Sequence, residues 1–376
     1  MSGLDKRHAG GPIGARLAAW RLRRGLALDD LASRTGLELD YVAGLETGGE
    51  WVDRRGPLAA LAAALRLDVA DLTGQPYPPH GDEHAAVRAV AFHLRRRLAR
   101  PHPGAAGGLQ LEELTERTRA ATHADMAGDE HGLALTLPDL IARADDAVST
   151  TSASGQEEAA QLRVQVHVLG AGLLRRLGYK DLAWMLLHRA RPGTSELLPV
   201  LVEEVRLLID LGLPEYALAR AERAERAEHA GAGWELPLLA AVAQAMTGRR
   251  QHAERFLATA AGRASSVREL GMVVAARAAV AAEHGDAEEA ADHVRAADQT
   301  ALGGAQRSHL LTVAAAADAR QDRADQAAAR LVEADAVAPL RLRLDPFARE
   351  LVAALAGRTT AQATAVRILA ERAGMQ

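Results

Sequence analysis

The run LALDDLASRTGLELDYVAGLETG (residues 26–48), continued by LAALAAALRLDVADLTG (residues 58–74), decides how this chain folds. Leu28, Leu31 and Ala32 fall on one helical face, with Asp29 and Asp30 near the positive end and Gly36 as a stop. A turn at Gly36-Leu37 leads into a helix from Glu38 to Thr47. Upstream, Ile13, Leu17, Trp20 and Leu22 line a first helix ending at Gly25; downstream, Leu58, Leu61 and Leu65, then Val69 and Leu72, line two more. Five short helices would bury one small core, and the second and third have the spacing of a DNA-reading pair.

These two runs resemble the Cro/C1-repressor (XRE) type of helix-turn-helix regulator, over about one fifth of the chain. The resemblance implies double-stranded DNA as partner, a dimer on paired half-sites, and an arginine–glutamate pair between the first and third helices, here Arg21 and Glu46. It places Glu38, Leu39, Asp40, Ala43 and Gly44 toward base edges, although none carries the Arg, Gln or Asn side chain that reads a purine bidentately. Tyr41 and Thr47 remain as polar contacts. Basic candidates surround that helix: Arg16, Arg23, Arg24, Arg34, and Arg54 and Arg55 in the following loop. The departure from the family pattern keeps a second reading open, a non-DNA-binding interaction scaffold using the same helices for protein contacts.

Composition narrows the rest. The chain has 376 residues, 48% hydrophobic content and a net charge of -4, which gives no general attraction to nucleic acid or anionic lipid. No apolar run approaches the roughly 20 residues of a membrane span, and MSGLDKRHAGG lacks a signal core, so no membrane partner is expected and a cytoplasmic location is. Without cysteine there is no disulfide, thiolate metal site or cysteine nucleophile. Lysine occurs only as Lys6 and Lys180 and asparagine nowhere, the bias of a GC-rich coding sequence, so abundant arginine is not read as a nucleic-acid signal.

From Val164 the chain repeats. Ala183, Ala217, Ala253, Ala290 and Ala327 stand 34 to 37 residues apart. Seven residues after each comes Ala190, Ala224, Ala260, Ala297 or Ala334; four after, Leu187, Ala221, Leu257, Val294 or Leu331. Twelve before each comes Ala171, Val205, Ala241, Ala278 or Ala315. Small residues on one face let two helices approach, and the aliphatics fill between units. The ladder, with closing prolines Pro192 and Pro339, resembles the tetratricopeptide repeat. By register, Gln165, Val168, Arg175, Arg206, Glu235, Leu238, Met246, Met272, His309, Thr312 and Arg320 are candidates to line its concave face, a groove for a peptide, protein or small-molecule effector. Gram-positive peptide-sensing receptors join the same two modules but clamp peptide backbone with asparagine; its absence here leaves glutamine and arginine in that role, or an effector that is not an extended peptide.

The expected fold is all-α, a five-helix helix-turn-helix domain followed by a tetratricopeptide-like α-solenoid. Its divisions are 1–12 a flexible N-terminus, 13–74 the DNA-binding domain, 75–108 a linker, 109–163 degenerate repeats, 164–340 the repeats and 341–376 capping helices. The linker holds a helix, His84 to Arg100, whose Arg95, Arg96, Arg97 and Arg100 are read as a solvated basic end that could alternatively meet phosphate. No catalytic residue, metal or cofactor is expected. His80 and His84 lack a third ligand, Gly170-Ala171-Gly172 lacks a strand and a third glycine, and Asp145-Asp146 and Glu203-Glu204 point to different helix faces. The functional expectation is a DNA-binding transcription regulator whose activity an effector in the repeat groove controls.

Overall fold

Helix follows helix from Pro12 to Arg372 in a computed structural model, which describes residues 11–99, 110–191, 197–226, 233–358 and 361–375. The protein is all-α: no strand occurs among the described residues. The first five helices are α1 (Pro12–Arg23), α2 (Leu28–Thr35), α3 (Leu39–Thr47), α4 (Arg55–Leu65) and α5 (Val69–Thr73). Gly36 ends α2 at φ 68°, a left-handed conformation open to glycine at little cost. Ile13, Leu17, Leu31, Val42, Leu45, Leu58, Leu61, Leu65 and Leu72 form one closed core. At its centre α1 and α3 meet backbone to backbone, since a Cβ on Gly14 would lie 1.9 Å from the Leu45 carbonyl oxygen. Leu22, expected on the apolar face of α1, is 66% exposed, because two residues past Trp20 it falls on the opposite side of the helix.

Helix α6 (Gly81–Leu98) buries Val87, Val90, Ala91 and Leu94 in a second core, shared with α7 (Leu111–Ala127) and α8 (Glu130–Thr150). α8 starts after Asp129, whose side chain accepts the Gly132 N–H and caps it. Five helix pairs follow: α9 (Gln156–Arg176) with α10 (Lys180–Ala190), α11 (Leu198–Asp210) with α12 (Pro214–Arg226), and α13 (Glu235–Met246) with α14 (Arg250–Arg263). The last two join α15 (Val267–Glu283) with α16 (Ala287–Ala296), and α17 (Gly304–Arg320) with α18 (Ala324–Val337). Helices pack within each pair, and the first helix of each pair packs on the first helix of the next. The alanine ladder lies at these crossings: Ala183, Ala217, Ala253, Ala290 and Ala327, and opposite them Ala171, Val205, Ala241, Ala278 and Ala315, are almost completely buried. Ala297 departs from it, half-buried one residue beyond the end of α16. Pro192 lies outside the described residues; Pro339 opens α19 (Pro339–Leu344), and α20 (Pro346–Ala356) and α21 (Ala363–Arg372) finish the chain's helical order.

The first five helices are fastened to the later ones through main-chain atoms. Glu283, at the end of α15, accepts the Arg55 N–H (2.8 Å) and the Gly56 N–H (2.6 Å) in the first turn of α4. Glu350 on α20 accepts the Ile13 N–H (2.6 Å) in the first turn of α1. Both are helix starts, where N–H groups lack intrahelical partners and carry partial positive charge, so a carboxylate there makes charge-assisted bonds. Arg320 at the end of α17 donates to Asp53 (2.6 Å) and to the Trp51 carbonyl (3.1 Å), and lies 4.0 Å from the centre of the Trp51 ring. Gln75 donates to the carbonyls of Arg176 (3.2 Å) and Leu344 (3.1 Å). A Cβ on Gly56 would stand 2.6 Å from the Met246 carbonyl oxygen, so the first turn of α4 lies directly on the end of α13.

Candidate functional sites: a helix face and a cavity at the seam

The N-terminal half of α3 faces outward. Glu38, Leu39 and Asp40 are exposed, with Arg24 and Arg34 exposed on the helices beside them. Thr47 is exposed as well, its hydroxyl donating to the Ala43 carbonyl (3.0 Å). The expected Arg21–Glu46 pair forms at 2.7 Å with both side chains largely buried, and Arg21 also donates to the Leu26 carbonyl, tying the loop after α1 to the end of α3.

Other residues expected to touch DNA are engaged inside the protein. Arg16 donates to the carbonyls of Pro12 (3.0 Å) and Thr73 (3.1 Å), closing α1 onto α5. Gly44 is required by the returning loop, since a Cβ there would approach Glu50 Cγ to 2.8 Å. Burial pushes the Tyr41 phenol up to about 12, helped by Asp53, and its hydroxyl faces the protein. Arg54 lies over the Tyr41 ring and beside Asp53 and Gly285. Arg55 turns fully away from α3, standing over the Phe347 ring (5.0 Å) and 3.9 Å from Asp210. In each case a backbone or carboxylate acceptor within the fold competes for the guanidinium, which the sequence does not display.

At the basic end of α6, Arg97 pairs with Asp145 (3.0 Å) and the Ala142 carbonyl, while Arg95 and Arg96 are exposed, beside the Tyr179 and Phe92 rings. Arg100 lies outside the described residues. The His84 Nδ1 accepts the His80 N–H (3.2 Å).

Between the first five helices and the later ones is a cavity of about 430 Å³. Seven of the expected groove residues line it: Val168, Arg175, Arg206, Leu238, Met272, His309 and Thr312. Four do not. Gln165 lies at a separate surface pocket between α7 and α9, and Glu235 extends to pair with Arg206 (2.7 Å). Met246 is buried at the end of α13, and Arg320 is spent on Asp53 and Trp51. Met246 and Arg320 are the last residues of α13 and α17.

The cavity is partly enclosed: Arg55, Gln75, Asp345 and Phe347 also line it, so one wall belongs to the N-terminal helices. Its floor is a dense ion-pair network: Arg175 with Glu203 and Asp210, and Arg176 and Arg341 with Asp125 and Glu130. Asp125 and Asp210 are held below the usual carboxylate range by these guanidinium groups against the opposing effect of burial. Burial lowers Lys180, and Arg175 and Arg55 add to that, while Asp210 opposes it. Burial lowers the His309 imidazole too, with Arg55 and Arg341 adding to it against Asp345 and Asp210.

Glu283, Glu350, Lys180 and Arg341 were not anticipated from sequence. Lys180 alone left a trace: in a chain that uses arginine almost throughout, it is one of two lysines. Among the described residues no helix is long and apolar enough to cross a membrane. No protein-family model, curated protein or solved structure matches the chain.

Proposed function

We propose that the protein is a DNA-binding transcription regulator of the helix-turn-helix class, with a tetratricopeptide-like array as its sensory part and the seam cavity as its effector site. The observation that carries this reading is the outward, unobstructed N-terminal half of α3 on a module otherwise locked to the array through Glu283, Glu350 and Arg320. A second helix that reads DNA uses just that end, with base contacts made from its first turns. An effector that prefers one arrangement of module and array shifts the population between arrangements and resets the spacing of two such helices in a dimer.

Selection of random duplex DNA by the full-length protein, followed by affinity against salt concentration, tests the reading. An enriched, near-palindromic site with half-sites about one helical turn apart supports it. Absence of duplex binding at low salt in every ligand state refutes it. Glu38→Arg replaces a phosphate-repelling charge and should strengthen non-specific binding, with a salt slope steeper by roughly one; an unchanged affinity would put α3 outside the groove.

One observation favours the scaffold reading: Leu39, 45% exposed, stands between the exposed carboxylates Glu38 and Asp40, a surface better suited to a basic, apolar protein face than to a phosphate backbone. A selected DNA site whose affinity falls in Thr47→Ala and Arg34→Ala would decide against it.

A further inference from the structure

The cavity's size and lining specify a kind of ligand. About 430 Å³ lies within the range of small-molecule sites. One side is apolar, built by Val168 and Leu169, Leu238 and Val242, and Met272 and Ala275. On the polar side the carboxylates are already engaged. Asp125 takes Arg176 and Arg341, Glu203 takes Arg175 and Arg206, Asp210 takes Arg175, and Asp345 accepts the N–H groups of Phe347 and Ala348. The cations outnumber them: six Arg and Lys side chains line the cavity against four carboxylates, the nearest carboxylate to Arg55 is 3.9 Å away, and Lys180 makes one bond, to the Asp210 carbonyl. A surplus of cationic donors beside an apolar wall is matched by an oxyanion attached to an apolar body.

We propose that the cavity binds a small amphipathic anion, its carboxylate or phosphate seated against Arg55, and that this ligand fastens the N-terminal module to the array. The proposal rests on the reading of the cavity as an effector site. Arg55 opens α4 of the module, whereas the apolar wall belongs to α9, α13 and α15, so the complete site exists only while the two parts are docked. The ligand therefore favours the docked arrangement, and at ten times its dissociation constant it raises the docked-to-undocked ratio about elevenfold.

Calorimetric titration of the full-length protein with decanoate, decyl phosphate, decanol and decylammonium, each below its micelle threshold, tests this. The expected result is one saturable site at which an anion binds at least tenfold tighter than decanol and decylammonium is weakest; whichever anion leads identifies carboxylate or phosphate. Arg55→Met should reduce the anion's advantage to less than threefold while leaving decanol affinity unchanged, and Ala279→Phe, which narrows the cavity, should weaken the binding of every probe. Equal affinity for anion and alcohol, or an anion preference that survives in R55M, overturns the proposal. If A279F fails to fold by circular dichroism, R55M still decides. Because the chain has no cysteine, spin labels at S33C and S265C report docking directly, and ligand should narrow their distance distribution; no change on saturation overturns the fastening. Neither readout contains DNA. A protein that selects the anion but binds no duplex leaves this proposal standing and removes the regulator reading, and the reverse result does the opposite.

Discussion

Glu283→Ala removes the carboxylate that holds the first turn of α4, and its effect should be felt at the far side of the interface. The carboxylate accepts two N–H groups at 2.8 and 2.6 Å. Hydrogen bonds to a charged group contribute about 1.5–3 kcal/mol each, so the pair is worth about 3–6 kcal/mol before desolvation. Burial raises the Glu283 carboxyl above its ordinary value, so part of that gain is offset, leaving about 2–4 kcal/mol. At about 1.4 kcal/mol per decade this is a 30- to 700-fold increase in the undocked population. The reporter is the Ile13 amide, at the second position of α1, where no intrahelical acceptor exists and Glu350 supplies the hydrogen bond. Native-state hydrogen exchange at Ile13 should accelerate by that factor in E283A, although Glu283 does not touch Ile13. Exchange at Ile13 unchanged within twofold, in a variant with an intact circular dichroism spectrum, would show that the two helix starts are held independently and that the interface does not open as a unit.

The remaining predictions concern the module and its attachment. Glu46→Ala leaves Arg21 largely buried without its carboxylate and should destabilise the first five helices by about 3 kcal/mol, measured by thermal unfolding; a loss below 1 kcal/mol would show that the Leu26 carbonyl alone suffices for Arg21. Burial pushes the Glu350 carboxyl up to about 7 from an ordinary 4.5, against Ile13 and Val52 N–H groups and the charges of Arg16 and Arg349. With the folded value raised, its contribution is fully present below pH 4.5 and is lost as pH rises through 7, so wild type should lose about 3 kcal/mol of stability between pH 4.5 and 8 that Glu350→Gln, neutral throughout, retains. Parallel melting-temperature profiles for the two proteins over that window would refute the assignment.

The parts of this fold that were legible in the sequence are those written in spacing. An alanine at every helix crossing must recur with the unit it serves, so Ala217, Ala253 and Ala290 announce the pairs before any coordinates exist, and each is fully buried. Gly36 and Gly48 announce helix ends for the same reason, a backbone requirement confined to one residue. The attachment has no such trace. Glu283 and Arg55 are 228 residues apart, Glu350 and Ile13 337 apart, and each bond uses an N–H that every residue but proline carries. Arg16, Arg54 and Arg55 read as phosphate contacts because an arginine's partner is set by three-dimensional neighbours, and Arg320 reads as groove lining until its turn is seen to end on Trp51. The cavity was legible as a list of array residues and illegible as an enclosure, since its cover comes from Gln75 and Phe347, elements with no place in the repeat.

Four of the contacts that hold the first five helices to the later ones use main-chain atoms: the N–H groups of Ile13, Arg55 and Gly56, and the carbonyl of Trp51. Those atoms are indifferent to what α3 displays on its outer face. Mutation can therefore rewrite Glu38, Leu39 and Asp40 without loosening the attachment, and the two properties can drift separately over generations. Transplantation follows the same logic: a different five-helix head with the same backbone path, keeping Trp51, Asp53 and the glycine at position 56, should seat on this body. What looks like one protein is, by the placement of a few carboxylates, a handle to which interchangeable heads can be fitted.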